Sequence, residues 1–150
     1  MIESAATRLD PTQLSATELA RAIAEGRLTS REVVEAHIAR IEAVNPALNA
    51  VVVTRFDEAR AEADAADRAM RDDRLRGPLH GVPITIKEQF ALAGMPTTIG
   101  VAKEEPDARD GPLVARLRAA GAIVLGKTNV PQLLLYNESD NPVYGRTNNP

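Results

Sequence analysis

Two short apolar runs with a helical pattern between them constrain this chain more than any other feature. "VPITIK", residues 82–87, and "AIVLG", residues 122–126, are rich in β-branched residues and read as strands. Between them "DGPLVARLRAAG", residues 110–121, reads as a helix with Asp110 as N-cap, Pro112 in the first turn and Gly121 past the end. Strand, helical crossover, strand is the signature of a parallel sheet, and ligands of such sheets gather beyond the carboxyl ends of the strands. The pattern puts Lys87 and Lys127 there.

The residues before this unit are mainly helical. "LSATELARAIAEG" opens on a capping box from Ser15 to Glu18 and stops at Gly26. "TSREVVEAHIARIEAVNP" repeats the device with Thr29 and Glu32, and its helix is expected to end before Pro46, antiparallel to the first. "NAVVV" reads as a brief buried strand, and the Ala-rich residues 55–73 as a longer third helix. Residues 88–108 are irregular, and the tail from Thr128 makes a short apolar turn before loop markers at Asn141-Pro142, Gly145 and Asn149-Pro150. The expectation is one incomplete α/β domain: 1–75 a helical lead-in, 76–150 the start of a core, within a longer parent protein. An isolated chain with so open a sheet edge is expected to be marginally folded or prone to aggregate.

Composition removes several function classes. With 150 residues, a formal charge of -3 and four aromatic side chains, the chain offers neither a basic surface nor a stacking platform for nucleic acid. It has no cysteine, and His37 and His80 are too far apart to suggest a metal cluster, so no metal and no cofactor is expected. His37 lies on an apolar helix face as a packed residue, and His80 is expected to tie down the loop before the strand. "MIESAATRLDP" lacks the basic start and apolar core of a secretion signal, and no segment has the length of a membrane span, so no membrane partner and a cytoplasmic location are expected.

Fifteen of the eighteen basic residues are arginine; Lys87, Lys103 and Lys127 are the lysines. Residues 121–128, "GAIVLGKT", fit the G-x-x-x-x-G-K-[ST] pattern of a phosphate-binding loop, with Gly126, Lys127 and Thr128 as its working end. Yet the four variable residues, Ala, Ile, Val and Leu, read as the strand itself, and Lys127 then only holds a loop at the strand end. Lys87 has a sharper alternative. Desolvation lowers a lysine's pKa from about 10.4, and a neutral lysine takes up a proton where arginine cannot. The spacing does not choose between such a general base and an ion pair with Glu88. Of the serines Ser4, Ser15, Ser30 and Ser139, two look like caps, and none has the glycine-rich backbone of an oxyanion hole.

Taken in order, "GPLHGVPITIKE", "GMPTTIG", "GAIVLGKTNVPQ" and "DNPVYGRTNNP" resemble the amidase signature family of serine hydrolases, and residues 17–52 are similar to that family's helical lead-in. The resemblance covers nearly the whole chain. It leans toward general bacterial amidases and the fatty-acid amide hydrolase branch, away from the tRNA-dependent amidotransferase subunit. It implies the N-terminal part of the amidase-signature fold, a mixed, largely parallel sheet with flanking helices. It also implies hydrolysis of a small-molecule carboxamide by a Ser, cis-Ser, Lys triad. Lys87 matches the family's lysine, is implied to be the general base, and is expected to be buried once the fold is complete. Leu134 matches a position near the acyl pocket and is implied to touch substrate. Many members carry aspartate where this chain has Glu88. The serines of the triad follow the family's "R-T-N-N-P" loop, so these 150 residues alone are expected to be inactive. A non-catalytic remnant or interaction protein, and a homodimer, stay open.

Overall fold

The computed structural model describes residues 9–72, 74, 77–102 and 105–150; Ser4, Lys103 and the first eight residues of the N-terminal stretch lie outside the described residues. After a single 3₁₀ turn, Pro11–Gln13, the elements run α1 (Ala16–Ala24), α2 (Ser30–Leu48), β1 (Val51–Thr54), α3 (Phe56–Arg71), β2 (Pro83–Lys87), α4 (Pro112–Ala119) and β3 (Ile123–Thr128), with a second turn at Gln132–Leu134.

Both capping boxes form. The Ser15 and Thr29 hydroxyls accept from the backbone N–H of Glu18 and Glu32, whose carboxylates accept in return from the cap N–H groups. The N-terminus of α2 has a further cap from another helix: Asp67 on α3 accepts from the N–H of Ser30 (2.7 Å) and of Arg31 (3.0 Å). The cap is Thr29 and not Ser30, whose buried hydroxyl has no hydrogen-bond partner among the described residues.

Two boundaries differ from expectation. α2 runs through Pro46 to Leu48 and ends at Asn49, which takes the left-handed conformation (φ 52°). A proline in the last turn removes one N–H without stopping the chain, and the left-handed residue is what turns it. α4 is capped by Gly111 instead of Asp110, because the Asp110 carboxylate is taken by Ala93 N–H and Arg118, each at 2.9 Å.

The strands order β1–β3–β2, with β3 parallel to β2 and antiparallel to β1. β1 is half-buried instead of buried, as suits the edge it occupies. One sheet face carries Ile123 and Leu125 against Val34 and Ile38 of α2 and Ala59, Ala63 and Ala66 of α3. Alanines at that helical spacing let α3 lie close to its neighbours. The other face packs Ile86 and Val124 on Leu92 and Val114. A third cluster, Leu19, Ile23, Val33 and Val82, fastens α1 beneath the entry to β2. His80 ties that entry down as expected, buried with Nε2 3.1 Å from the Ala66 carbonyl, and His37 is half-buried with Nδ1 2.8 Å from Val33 O.

Gly126 sits where β2, β3 and β1 crowd together, beside a shift in the β2–β3 register. A Cβ there would lie 2.2 Å from the Val53 carbonyl oxygen, so β1 approaches this closely only because residue 126 has no side chain.

Candidate functional site

Parallel pairing brings the ends of β2 and β3 to one edge of the sheet, where Lys87 is in register with Thr128. The last ladder bond, Glu88 N–H to Thr128 O at 2.8 Å, carries the extended backbone one residue past Lys87. Side chains alternate along an extended backbone. Ile86 and Glu88 accordingly turn inward and are buried, and Lys87 between them is exposed. The shelter that a neutral lysine needs is not supplied by these residues.

Glu88 is not the partner of Lys87. Its carboxylate, wholly buried, accepts from the backbone N–H of Thr98 (2.7 Å) and of Ile99 (2.9 Å). Lys127 stands 3.8 Å from the same carboxylate, and both side chains are 0% exposed. At that separation and an effective dielectric of about 20 the Coulomb attraction is about 4 kcal/mol, before the desolvation penalty is subtracted. The Lys127 ammonium donates to Pro96 O at 3.0 Å and to the Thr97 hydroxyl at 3.1 Å, and that hydroxyl donates to Asp107. Two opposite charges thus hold residues 96–99 against the strand ends. Beside them burial pushes the Tyr144 phenol up, a shift to which the negative charge of Glu88 adds and which a bond to Thr98 opposes.

This geometry corrects the phosphate-loop alternative. Ile123–Thr128 is a strand paired on both sides, Gly121 ends the preceding helix region, and Lys127 lies inside β3, buried among protein acceptors instead of projecting beyond the strand end. A phosphate cradle needs free backbone N–H groups that converge on the ligand, and this backbone is spent on its neighbours.

Leu134 is 45% exposed in a turn where it and Leu133 both take positive φ, 61° and 51°. Leu133 N–H donates to Ile99 O at 2.8 Å, so the Leu134 turn is joined to Lys87 through the same residues that Glu88 grips. An open hollow between Gln132, Tyr136, Asp140 and Arg146 includes neither Lys87 nor Leu134. Among the described residues no group of three His, Cys, Asp or Glu could hold a metal, and no helix is long and apolar enough to cross a membrane.

Two arrangements escaped the sequence reading. Period-two alternation already signals that neighbours 87 and 88 face apart, which speaks against their ion pair. Asn141, in the sequence a loop marker, forms a clasp together with Asn129 and with Asn49 at the end of α2. Asn129 donates to Gly145 O (2.9 Å) and the Thr147 hydroxyl (3.0 Å), and Asn141 to Asn129 Oδ1 and Val130 O (2.8 Å each). Asn49 donates to Tyr144 O (2.8 Å) and Arg146 O (3.1 Å).

Comparison with known proteins agrees with this architecture. The family model described as Amidase matches residues 32–150. The chain is 44% identical to an acylamidase of Rhodococcus erythropolis, over 91% of this chain and 29% of that protein. It is 47% identical to fatty-acid amide hydrolase 2-A of Danio rerio, over 91% of this chain and 27% of that one. The crystal structure of native peptide amidase from Stenotrophomonas maltophilia superimposes with a TM-score of 0.83 at 38% identity, covering 91% of this chain and 30% of that one. The chain therefore spans less than a third of the length of these relatives.

Proposed function

We propose, on the premise that this chain belongs to the amidase family, that it supplies the general base of an enzyme that hydrolyses a small-molecule carboxamide at its C–N bond. Lys87 is that base. In the reading taken from the family resemblance, its neutral amine accepts a proton through a bridging serine, which activates the serine that attacks the carbonyl carbon. A tetrahedral intermediate then collapses to an acyl-serine with loss of the amine, and water releases the acid. The observation that carries the assignment is the placing of Lys87 at the carboxyl end of a parallel strand pair, exposed, with its neighbouring carboxylate turned away and engaged elsewhere. An ion pair with Glu88 would hold Lys87 against the strand; instead the Glu88 carboxylate is engaged by Thr98 and Ile99 and Lys87 faces outward.

Both serines of that scheme, and the dry surroundings it needs, come from outside these 150 residues, so the chain alone is expected to turn over no amide. Leu134 is the proposed substrate contact, its exposed apolar side chain suited to an acyl or aryl group. The relatives named above are an acylamidase, a fatty-acid amide hydrolase and a peptide amidase.

The test is a chimera in which residues 1–150 replace the matching part of the Rhodococcus acylamidase. It should hydrolyse a simple aryl amide, and Lys87→Ala should lower turnover by about 10²-fold or more, the ordinary range for loss of a general base. A Lys87→Ala chimera with unchanged circular dichroism and turnover within a few-fold of the parent would end the assignment.

A further inference from the structure

We propose that Glu88, held in place by Lys127, is the positioning residue for Lys87; this rests on reading Lys87 as the general base. Glu88 is connected on three sides. Its own N–H continues the ladder to Thr128 O (2.8 Å), its carboxylate receives the N–H groups of Thr98 and Ile99 (2.7 and 2.9 Å), and the Lys127 ammonium faces it at 3.8 Å. A carboxylate that accepts two backbone N–H groups in a buried site is pinned in direction as well as in place. Because adjacent side chains of an extended strand point oppositely, pinning Glu88 inward decides that Lys87 points outward. The Lys87 carbonyl, which accepts from Phe90 N–H at 3.0 Å, is fixed from the other direction.

Lys127 does a second task in the same element. Through Pro96 O and the Thr97 hydroxyl it holds the residues whose N–H groups Glu88 needs, so the anchor closes on itself. It also reaches the proposed substrate turn, since Ile99, gripped by Glu88, accepts from Leu133 N–H at 2.8 Å. One buried pair thereby sets the facing of the base and the seat of Leu134. A glutamine at 88 keeps the size of the side chain but replaces one acceptor by a donor, which then meets the N–H of Thr98 or Ile99 head-on.

Amide hydrogen exchange on the full 150-residue chain separates this role from plain stabilisation. In Glu88→Gln the amides that flank Lys87, at positions 88 and 90, together with those of Thr98 and Ile99, should exchange at least about tenfold faster. The amides of Val124 and Leu125 should exchange as before. Glu88→Asp keeps both acceptors and the charge, and should return the four amides to within a few-fold of the parent. Equal acceleration everywhere, or none at the four amides, overturns the proposal. Should Glu88→Gln fail to fold, the parent chain still decides: Thr98 and Ile99 amides that exchange orders of magnitude faster than those of β3 also overturn it. None of these readings depends on turnover, so failure of the anchor and failure of the base assignment are told apart.

Discussion

Replacing Gly126 by alanine would put a methyl group where β1 already lies. The added Cβ falls 2.2 Å from Val53 O, 3.2 Å from Thr54 Cα and 3.2 Å from Val51 Cγ1, and the first two belong to backbone that no rotamer change can move. β1 must retreat by more than an ångström to restore ordinary contact. The hydrogen bonds bracketing its pairing stretch with it: Arg55 N–H to Leu125 O (3.0 Å) and Asn129 N–H to Ala50 O (2.9 Å). Overpacking of this kind costs about 1–3 kcal/mol, and two weakened backbone bonds add about 1 kcal/mol each, for a total of about 3–5 kcal/mol. In a chain of this size that lowers the melting temperature by roughly 6–20 °C. Thermal unfolding followed by far-UV circular dichroism measures it. Gly94→Ala is the control, because Gly94 has positive φ (+83°) but open space around its Cβ, and should lose only the left-handed strain of about 1–2 kcal/mol. A Gly126→Ala chain that melts within about 2 °C of the parent, or above Gly94→Ala, would refute the account of why β1 lies so near.

Two further outcomes follow from single groups. Ser30→Ala should leave stability unchanged or raise it by about 1 kcal/mol in urea titration, because the mutation removes a buried hydroxyl that has no partner among the described residues; a clear loss would mean that the hydroxyl is bonded. Burial alone would raise the Asp110 pKa, but the Ala93 N–H and the Arg118 guanidinium outweigh it and hold the group below its ordinary 3.8. A depressed folded pKa contributes stability that is present above the unfolded value and is lost as pH falls through the folded one. Asp110→Asn should therefore be less stable at neutral pH and flatten the acid limb of the stability curve below about pH 4, and an unchanged limb would contradict the assignment.

Features set by neighbours in the chain were readable from the letters alone. The boxes at Ser15 and Thr29, the alanine face of α3 and the strands flanking α4 depend on residues three or four apart, or on period-two alternation. What the letters hid was set by distant partners. Pro46 looked like a stop because the left-handed cap at Asn49 could not be seen, and Asp110 looked like a cap because Ala93 and Arg118 compete for it from elsewhere in the fold. The same holds at the site. That Lys87 ends a strand was legible. The burial of Lys127 was not, since it is sheltered by residues 96 and 97, some thirty positions earlier. The direction of β1 was equally hidden, for an apolar run of four residues pairs either way.

The clasp between the end of α2 and the tail carries a consequence for the order of folding. It consists of the two Asn49 side-chain bonds, Thr147 hydroxyl to Asn49 O, and two bonds from Asn148 to Leu48 O and Ala47 O. Closing so long a stretch directly costs about 4 kcal/mol in the length-dependent part of the loop entropy alone, nearly all that five such bonds return at about 1 kcal/mol each. Once β1 and β3 have paired, and Asn129 N–H has met Ala50 O, the remaining loop is only about fifteen residues and its closure costs about 2.4 kcal/mol. The tail is thus a late-locking segment, whose attachment reports that the sheet behind it is already complete.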